Sequence, residues 1–336
     1  MTRMEWDVPL ARALGRLLAP ESPAPLSLEV VREQLPSSRE VYRFTFNGNG
    51  RAAVGKFFTA YPPAIPQDHG LAQEYDNYLQ AAALGLNNGH IPRLLGHRPE
   101  LCLGLLLEAI PGPDLDSLLK NACEHGKLDP LYRGLAGLAE LLAFFHSRPL
   151  PEAPVSGLEA CGYLDKLWLQ LKSRGLLTPS DEAALAAERT AWESRLAQFP
   201  DHQVLVHGDA TPTNFLFPDH SGQGRPFHRA VALDLERLRP ADRLWDLSWV
   251  AGELKHAWVW RTGRGEGAEG PIGHFFAAYQ AALPAAALLA ERLVLLNPFY
   301  MALAELRIAR NGYLSWDYRR WLVAEARRCL AFGRRM

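Results

Sequence analysis

The apolar positions of this chain follow two different periods. Between 41 and 58 the period is two. VYRFTF, 41–46, sets Tyr42, Phe44 and Phe46 on one side and Val41, Arg43 and Thr45 on the other. Asn47-Gly48-Asn49-Gly50 follows, a sequence suited to a hairpin turn, and AAVGKFF, 52–58, returns as the partner strand. Residues 91–95 lead to a second hairpin with Pro99 and Glu100 near its turn and the apolar run LCLGLLLEAI, 101–110, as its return strand. Before these, residues 7–18 carry a loose helical stripe, Pro20, Pro23 and Pro25 break the chain, and 26–35 fits a strand or a short helix equally well.

Elsewhere the spacing is mostly helical. After the proline-rich linker 61–66, Leu71, Tyr75, Tyr78, Leu79 and Ala82 predict a helix over 71–85 that Gly85 stops. Helices are also expected from Asp114, over 135–146, around 163–171, from the capping-box pattern Thr178-Pro179-Ser180-Asp181 to Pro200, from about Asp246, over 275–280, and over 293–310 and 316–332. Short strands are predicted at 204–206 and 230–234, with a turn at 219–225.

At 336 residues the chain is long enough for two domains, and its 48% hydrophobic content supplies a sizeable core. The net charge of −1 gives no global field toward nucleic acid or a membrane. The last hundred residues are mildly basic, and Arg307, Arg310, Arg319, Arg320, Arg327 and Arg328 predict a solvated basic face, with a site for phosphate or an acidic sugar as the alternative. Cys102, Cys123, Cys161 and Cys329 are scattered, with neither metal-ligand nor disulfide spacing. With no apolar signal core at the start and no run of about 18 apolar residues, the expected location is the cytoplasm.

Candidate chemistry centres on VLVHGDATPTNFL, 204–216. Three apolar residues lead into His207-Gly208-Asp209, and Asn214 follows before the apolar run resumes. An aspartate in a β-turn with an asparagine opening a strand would read the same way. The functional alternative is a carboxylate and a carboxamide on one loop, the first able to take a proton from a hydroxyl and the second able to offer a hard oxygen to a metal. Lys56 lies on a predicted strand among apolar neighbours, Glu74 in the first turn of a predicted helix, and Asp234 at the end of a predicted strand. Taken singly, each also reads as a solvated lysine, a helix-dipole partner and a turn cap. Gly265, Gly267 and Gly270 match G-x-G-x-x-G literally. They follow a helical stretch rather than a strand, in a charged segment expected to be a mobile loop.

HGD-x-x-x-x-N, preceded by Lys56 and Glu74 and followed by Asp234, resembles the aminoglycoside phosphotransferase and choline kinase families of small-molecule kinases. The resemblance covers roughly residues 25–280. It implies an α+β, protein-kinase-like bilobal fold: a small β-rich N-lobe over 1–110, a hinge near 108–113, and a larger, mainly helical C-lobe over 111–336, with nucleotide in the cleft. It also implies that Lys56, braced by Glu74, neutralises phosphate charge; that Glu108 and Ile110 read the base of ATP or GTP through their main chains; that Asn214 and Asp234 hold Mg²⁺; and that Asp209 is the catalytic base. Asp246 is given a bracing role, His146 a core role, and Glu253, Lys255 and His256 are read as a solvated face with one or two functional members. Where a glycine-rich loop would cap the phosphates, this chain offers Ser37 and Ser38.

Similar enzymes phosphorylate aminoglycosides, choline, homoserine and sugars. The basic tail sits poorly with a polycation, so a neutral or anionic hydroxyl compound, such as a sugar, is the expected acceptor for a monomer or homodimer. Partners of nucleic-acid or membrane type are not expected. A catalytically silent, nucleotide- or partner-binding module of the same fold is the second reading, and a nucleic-acid-binding helical protein the third.

Overall fold

The computed structural model describes residues 14–15, 30–35, 39–46, 52–218, 229–283 and 287–336. Most of the expected helix at 7–18, the turns at 47–50 and 219–225, and Ser37 and Ser38 lie outside them. The chain divides into two compact units. The first comprises residues 1–111 and 231–237, the second 112–230 and 238–336. The segment carrying Asp234 therefore groups with the first unit, although the sequence reading placed it in 111–336.

The first unit is built on a five-stranded antiparallel sheet in the order β1-β2-β3-β5-β4. Its strands are β1 (Val30–Gln34), β2 (Glu40–Phe46), β3 (Ala52–Phe57), β4 (Leu94–Arg98) and β5 (Leu103–Glu108). Of the ambiguous stretch 26–35, residues 26–29 lie outside the described residues and 30–34 form a strand. Period-two alternation puts Ala53 and Phe57 against a core of Leu14, Tyr42, Phe44, Leu103 and Leu106, which leaves Lys56 on the opposite face.

Helix α1 (Pro66–Ala83) starts earlier than the predicted 71, because Pro66 opens the helix instead of ending the linker. It packs on β5 so closely that a Cβ on Gly104 would meet Leu71 Cδ2 at 2.5 Å. Leu71, Glu74, Tyr78 and Ala81 share its buried stripe, and this spacing turns a carboxylate inward. Asn77, also buried, donates from Nδ2 to the carbonyls of Leu235 (2.7 Å) and Glu236 (3.1 Å), pinning the 231–237 segment to α1.

The second unit is mainly helical. Its helices are α2 (Leu115–His125), α3 (Leu128–His146), α4 (Gly157–Ser173), α5 (Pro179–Gln198), α6 (Leu244–Thr262), α7 (Glu269–Ala281), α8 (Ala287–Ala309) and α9 (Trp316–Gly333). Helix α3 packs on α7, α6 on α8 and α8 on α9. Strand β6 (Val204–Val206) pairs antiparallel with Arg239–Ala241, a strand the sequence did not signal. Among the described residues no helix is long and apolar enough to cross a membrane.

The arginine-rich end is only in part a solvated face: Arg328 is exposed, whereas other arginines are tied down. Arg320 and Arg327 each reach Asp181 at 2.6 Å, and Arg292 grips the buried Asp242. The 265–270 segment is not a loose loop. Glu266–Ala268 is a short 3₁₀ turn leading directly into α7, and a Cβ on Gly267 would meet Trp258 Nε1 at 2.2 Å. The glycine is there for close packing.

Asp181 also completes the predicted capping box, since Thr178 N donates to Asp181 Oδ2 (2.8 Å) and Asp181 N to Thr178 Oγ1 (3.2 Å). Thr178→Ala is expected to cost about 1 kcal/mol, read as a lower denaturation midpoint with an unchanged denaturant slope. An unmoved midpoint would show that the cap contributes nothing.

Candidate functional site

In the first unit, Lys56 projects from β3 toward α1. Its Nζ donates to Glu74 Oε1 (2.7 Å) and Oε2 (2.9 Å) and to Asp234 Oδ1 (3.2 Å). Arg39 completes the cluster, 3.7 Å from Glu74 and 2.5 Å from Glu236. This pair passes over Gly70, where a Cβ would meet Arg39 Nη2 at 2.6 Å. Glu74 is fully buried, and burial pushes its carboxyl up to about 7 against the opposing pull of Lys56. Burial would lower Lys56, but Glu74 and Asp234 together hold it above its usual value. Asp234 keeps 39% of its side chain exposed and sits at φ 55°, in the left-handed region, which turns the chain sharply just after Val231–Ala232. The helix start at 66 also moves Glu74 out of the first turn, so the dipole-partner reading of it falls.

At the end of β5, Glu108 N–H donates to the Arg93 carbonyl (2.9 Å) and Ala109 N–H to that of Ala52 (3.2 Å). The Glu108 carboxylate pairs with Arg93 at 2.9 Å. Whatever Glu108 and Ile110 contribute to a ligand must then come from other main-chain groups.

In the second unit, β6 buries Val204, Leu205 and Val206 and delivers the chain to His207-Gly208-Asp209. Gly208 takes φ +77°, a backbone that L side chains rarely adopt. Asp246, buried in the first turn of α6, accepts from His207 N (2.8 Å) and Gly208 N (2.9 Å). It lies 3.1 Å from His146 Nε2, whose Nδ1 meets Tyr279 Oη at 2.6 Å. Burial would raise the Asp246 carboxyl, but its bonds to His146 and the loop amides hold it below the usual carboxylate range. The brace is thus a fixed anion under the loop, and His146 belongs to the core that supports it.

Beyond Asp209 the chain closes on itself. Thr211 N–H and Asn214 Nδ2 both donate to the Asp209 carbonyl, at 2.7 and 2.9 Å. The five-residue spacing therefore makes one tied turn, including the 3₁₀ segment Pro212–Asn214. With Nδ2 committed, Oδ1 is the end of Asn214 suited to a cation.

Arg307, on α8, was missed as a site residue. Its Nη2 lies 2.5 Å from Asp209 Oδ1 and its Nη1 3.2 Å from Glu253 Oε1. Burial pushes the Glu253 carboxyl up to about 7, with Arg307 opposing and Asp209 assisting. A signal existed. Tyr300, Ala304 and Arg307 follow at i, i+4 and i+7 on α8, and Asp246, Trp249 and Glu253 at i, i+3 and i+7 on α6, so both charges sit on buried stripes. Lys255 pairs with Glu325 and Glu305, and His256 lies 2.8 Å from Tyr318 Oη, so these residues do not form a solvated face.

A sheet carrying a lysine locked to a helix glutamate, and a helical unit built around a braced Asp–Asn turn, define a protein-kinase-like α+β fold. A model of the phosphotransferase enzyme family matches residues 32–289, and the chain belongs to that family. Among solved structures it is similar to an ethanolamine kinase of Plasmodium vivax, at 12% identity and TM-score 0.58, covering 99% of this chain and 95% of that one. It is also similar to aminoglycoside 2'-phosphotransferase-IIIa in its GDP complex, at 15% identity and TM-score 0.56, covering 98% and 99%. A ternary complex of APH(2")-IIa with streptomycin and ATP matches at 14% identity and TM-score 0.53, covering 97% of each chain. At these identities the likeness concerns the fold. No curated protein matches the sequence.

Proposed function

We propose that the protein transfers the γ-phosphoryl group of ATP or GTP to a hydroxyl of a small molecule. The observation that carries this reading is Lys56, held at once by Glu74 and Asp234 across 18 and 178 residues of sequence. A cation placed this way costs desolvation and, in a phosphotransferase, meets phosphate oxygens. The nucleotide complexes formed by structural neighbours agree with it.

In this reading Lys56, braced by Glu74, neutralises phosphate charge. The Glu108 carbonyl and Ile110 N–H contact the base. Asn214 Oδ1 and the half-exposed Asp234 carboxylate are hard oxygen donors, which suit Mg²⁺. The metal, when bound, would offset charge on the phosphate oxygens. Asp209 orients the acceptor hydroxyl. As that oxygen bonds to the γ-phosphorus, the bond from phosphorus to the bridging oxygen breaks and the nucleoside diphosphate leaves. The hydroxyl proton passes to Asp209.

A second reading, the silent binding module, is favoured by one observation: Arg307 already occupies the carboxylate that would act as base. An acceptor screen following ADP release over sugars, amino alcohols, hydroxy acids and aminoglycosides separates the two. Release stimulated by an acceptor and abolished by EDTA supports transfer. If no acceptor stimulates release, and the background is equal in wild type and Asp209→Asn, the protein is a binding module.

A further inference from the structure

The groups surrounding Asp209 specify more than a hydroxyl. Arg307 spends Nη2 on Asp209 and Nη1 on Glu253, yet its Nε lies out of solvent with no hydrogen-bond acceptor. The Arg307 guanidinium carbon lies 5.7 Å from the centroid of the Trp249 ring. Trp249 is 3% exposed, and its indole N–H is likewise buried without an acceptor. Buried donors without partners are costly and uncommon. Here two of them lie on helices that pack together, α6 and α8, and one belongs to the side chain seated on Asp209.

Resting on the kinase reading above, we propose that the acceptor carries an anionic group, a carboxylate or a phosphate ester, beside the hydroxyl that Asp209 engages, and that Arg307 and Trp249 bind that group. The two orphaned donors lack lone pairs, which an anion supplies and an ammonium does not. A guanidinium prefers planar oxyanions for the same reason. The charges facing the site agree. Asp209 and Arg307 offset each other, and Glu253, mostly buried beside Arg307, is pushed toward its neutral form. Asp116, the other acidic group that raises Glu253, is paired with Arg261 at 2.7 Å. A cationic amino alcohol would bring its ammonium toward a guanidinium already seated on the base. Arg307 then has two tasks, recognising the anion and, by its bond to Asp209, fixing the angle at which the base meets the hydroxyl.

Matched acceptor pairs test this: a hydroxy acid against its primary amide, a sugar phosphate against the free sugar, and amino alcohols and aminoglycosides as the cationic arm. Losing a hydrogen bond to a charged group changes binding by about 10- to 100-fold. The wild type is therefore expected to favour the anion of each pair by that factor in kcat/KM, chiefly through KM. Whichever pair responds identifies the carboxylate or the phosphate as the source. Arg307→Gln is expected to bring the ratio to about one. Trp249→Phe, which keeps a ring in place, is expected to lower it several-fold. Because the readout is a ratio within one variant, a general loss of fold or turnover does not move it.

A cationic or neutral acceptor preferred by the wild type, or a ratio that survives Arg307→Gln, overturns the proposal and leaves the kinase reading standing. Calorimetric titration of the hydroxy acid and the sugar phosphate without nucleotide distinguishes failure of the kinase reading itself. In that case no acceptor of any charge accelerates nucleotide cleavage, while Arg307-dependent anion binding persists. Absence of such binding together with absence of transfer overturns both.

Discussion

Asp209→Asn is expected to lower phosphoryl transfer by about a thousandfold at saturating nucleotide and acceptor, within the 10²–10⁴ typical of a positioned general base. That corresponds to about 4 kcal/mol of transition-state stabilisation. The geometry explains why the loss should be catalytic and not a folding defect. The loop is held by its backbone: Asp246 grips the His207 and Gly208 amides, and Asn214 grips the Asp209 carbonyl. None of these bonds uses the Asp209 carboxylate. Arg307 retains Glu253 as a partner at 3.2 Å, and loss of the Asp209 charge lets Glu253 ionise more readily, because Asp209 is one of the charges raising it. Nucleotide affinity and the thermal midpoint should therefore stay close to wild type while turnover falls. Turnover reduced less than tenfold would remove Asp209 from the role of base.

How much of this was legible in the sequence depended on whether a residue's partner was local. The strands at 41–46 and 52–58 and the turn from Asp209 to Asn214 are short-range patterns, and the chain spelled them out. The link from Lys56 to Glu74 was readable only through the order of motifs, since nothing in AVGKFF indicates which face the lysine takes. Arg307 illustrates the opposite case. Six arginines near the end of the chain suggest a solvated surface by composition, and Arg328 is exposed, but Arg307 and Arg327 find their partners Glu253, Asp209 and Asp181 54 to 146 positions away. Only the helical stripe distinguished the buried charges from the exposed ones. The glycines at 265–270 misled for a related reason: composition suggests mobility, whereas Gly267 is small because Trp258 lies against it. Pro66 was read as the end of a linker, although a proline is equally at home in the first turn of a helix.

Lys56→Met is expected to remove activity and stability together, and pH should separate the two losses. For activity, deleting a charge-stabilising donor costs about 10²–10³ in turnover. For stability, loss of the lysine leaves Glu74 fully buried, with Arg39 at 3.7 Å as a neighbouring cation. Breaking a buried pair from one side costs about 3–5 kcal/mol when the orphan stays charged. Glu74 has an escape, because burial already pushes its carboxyl up to about 7, and loss of Lys56 pushes it further. A carboxyl whose folded pKa lies above its unfolded value binds protons more tightly when folded. Its favourable contribution is full below the unfolded pKa and is lost as pH rises through the folded one. The variant should consequently lie closer to wild type in unfolding free energy at pH 6 than at pH 9. Lys56→Met combined with Glu74→Gln should recover stability at pH 9, since the orphaned carboxylate is gone, and should not recover turnover, since the lysine has not returned. A double variant that regained turnover would show that Lys56 serves the fold and not the phosphates, and a single variant equally stable at both pH values would show that Glu74 is not the orphaned group.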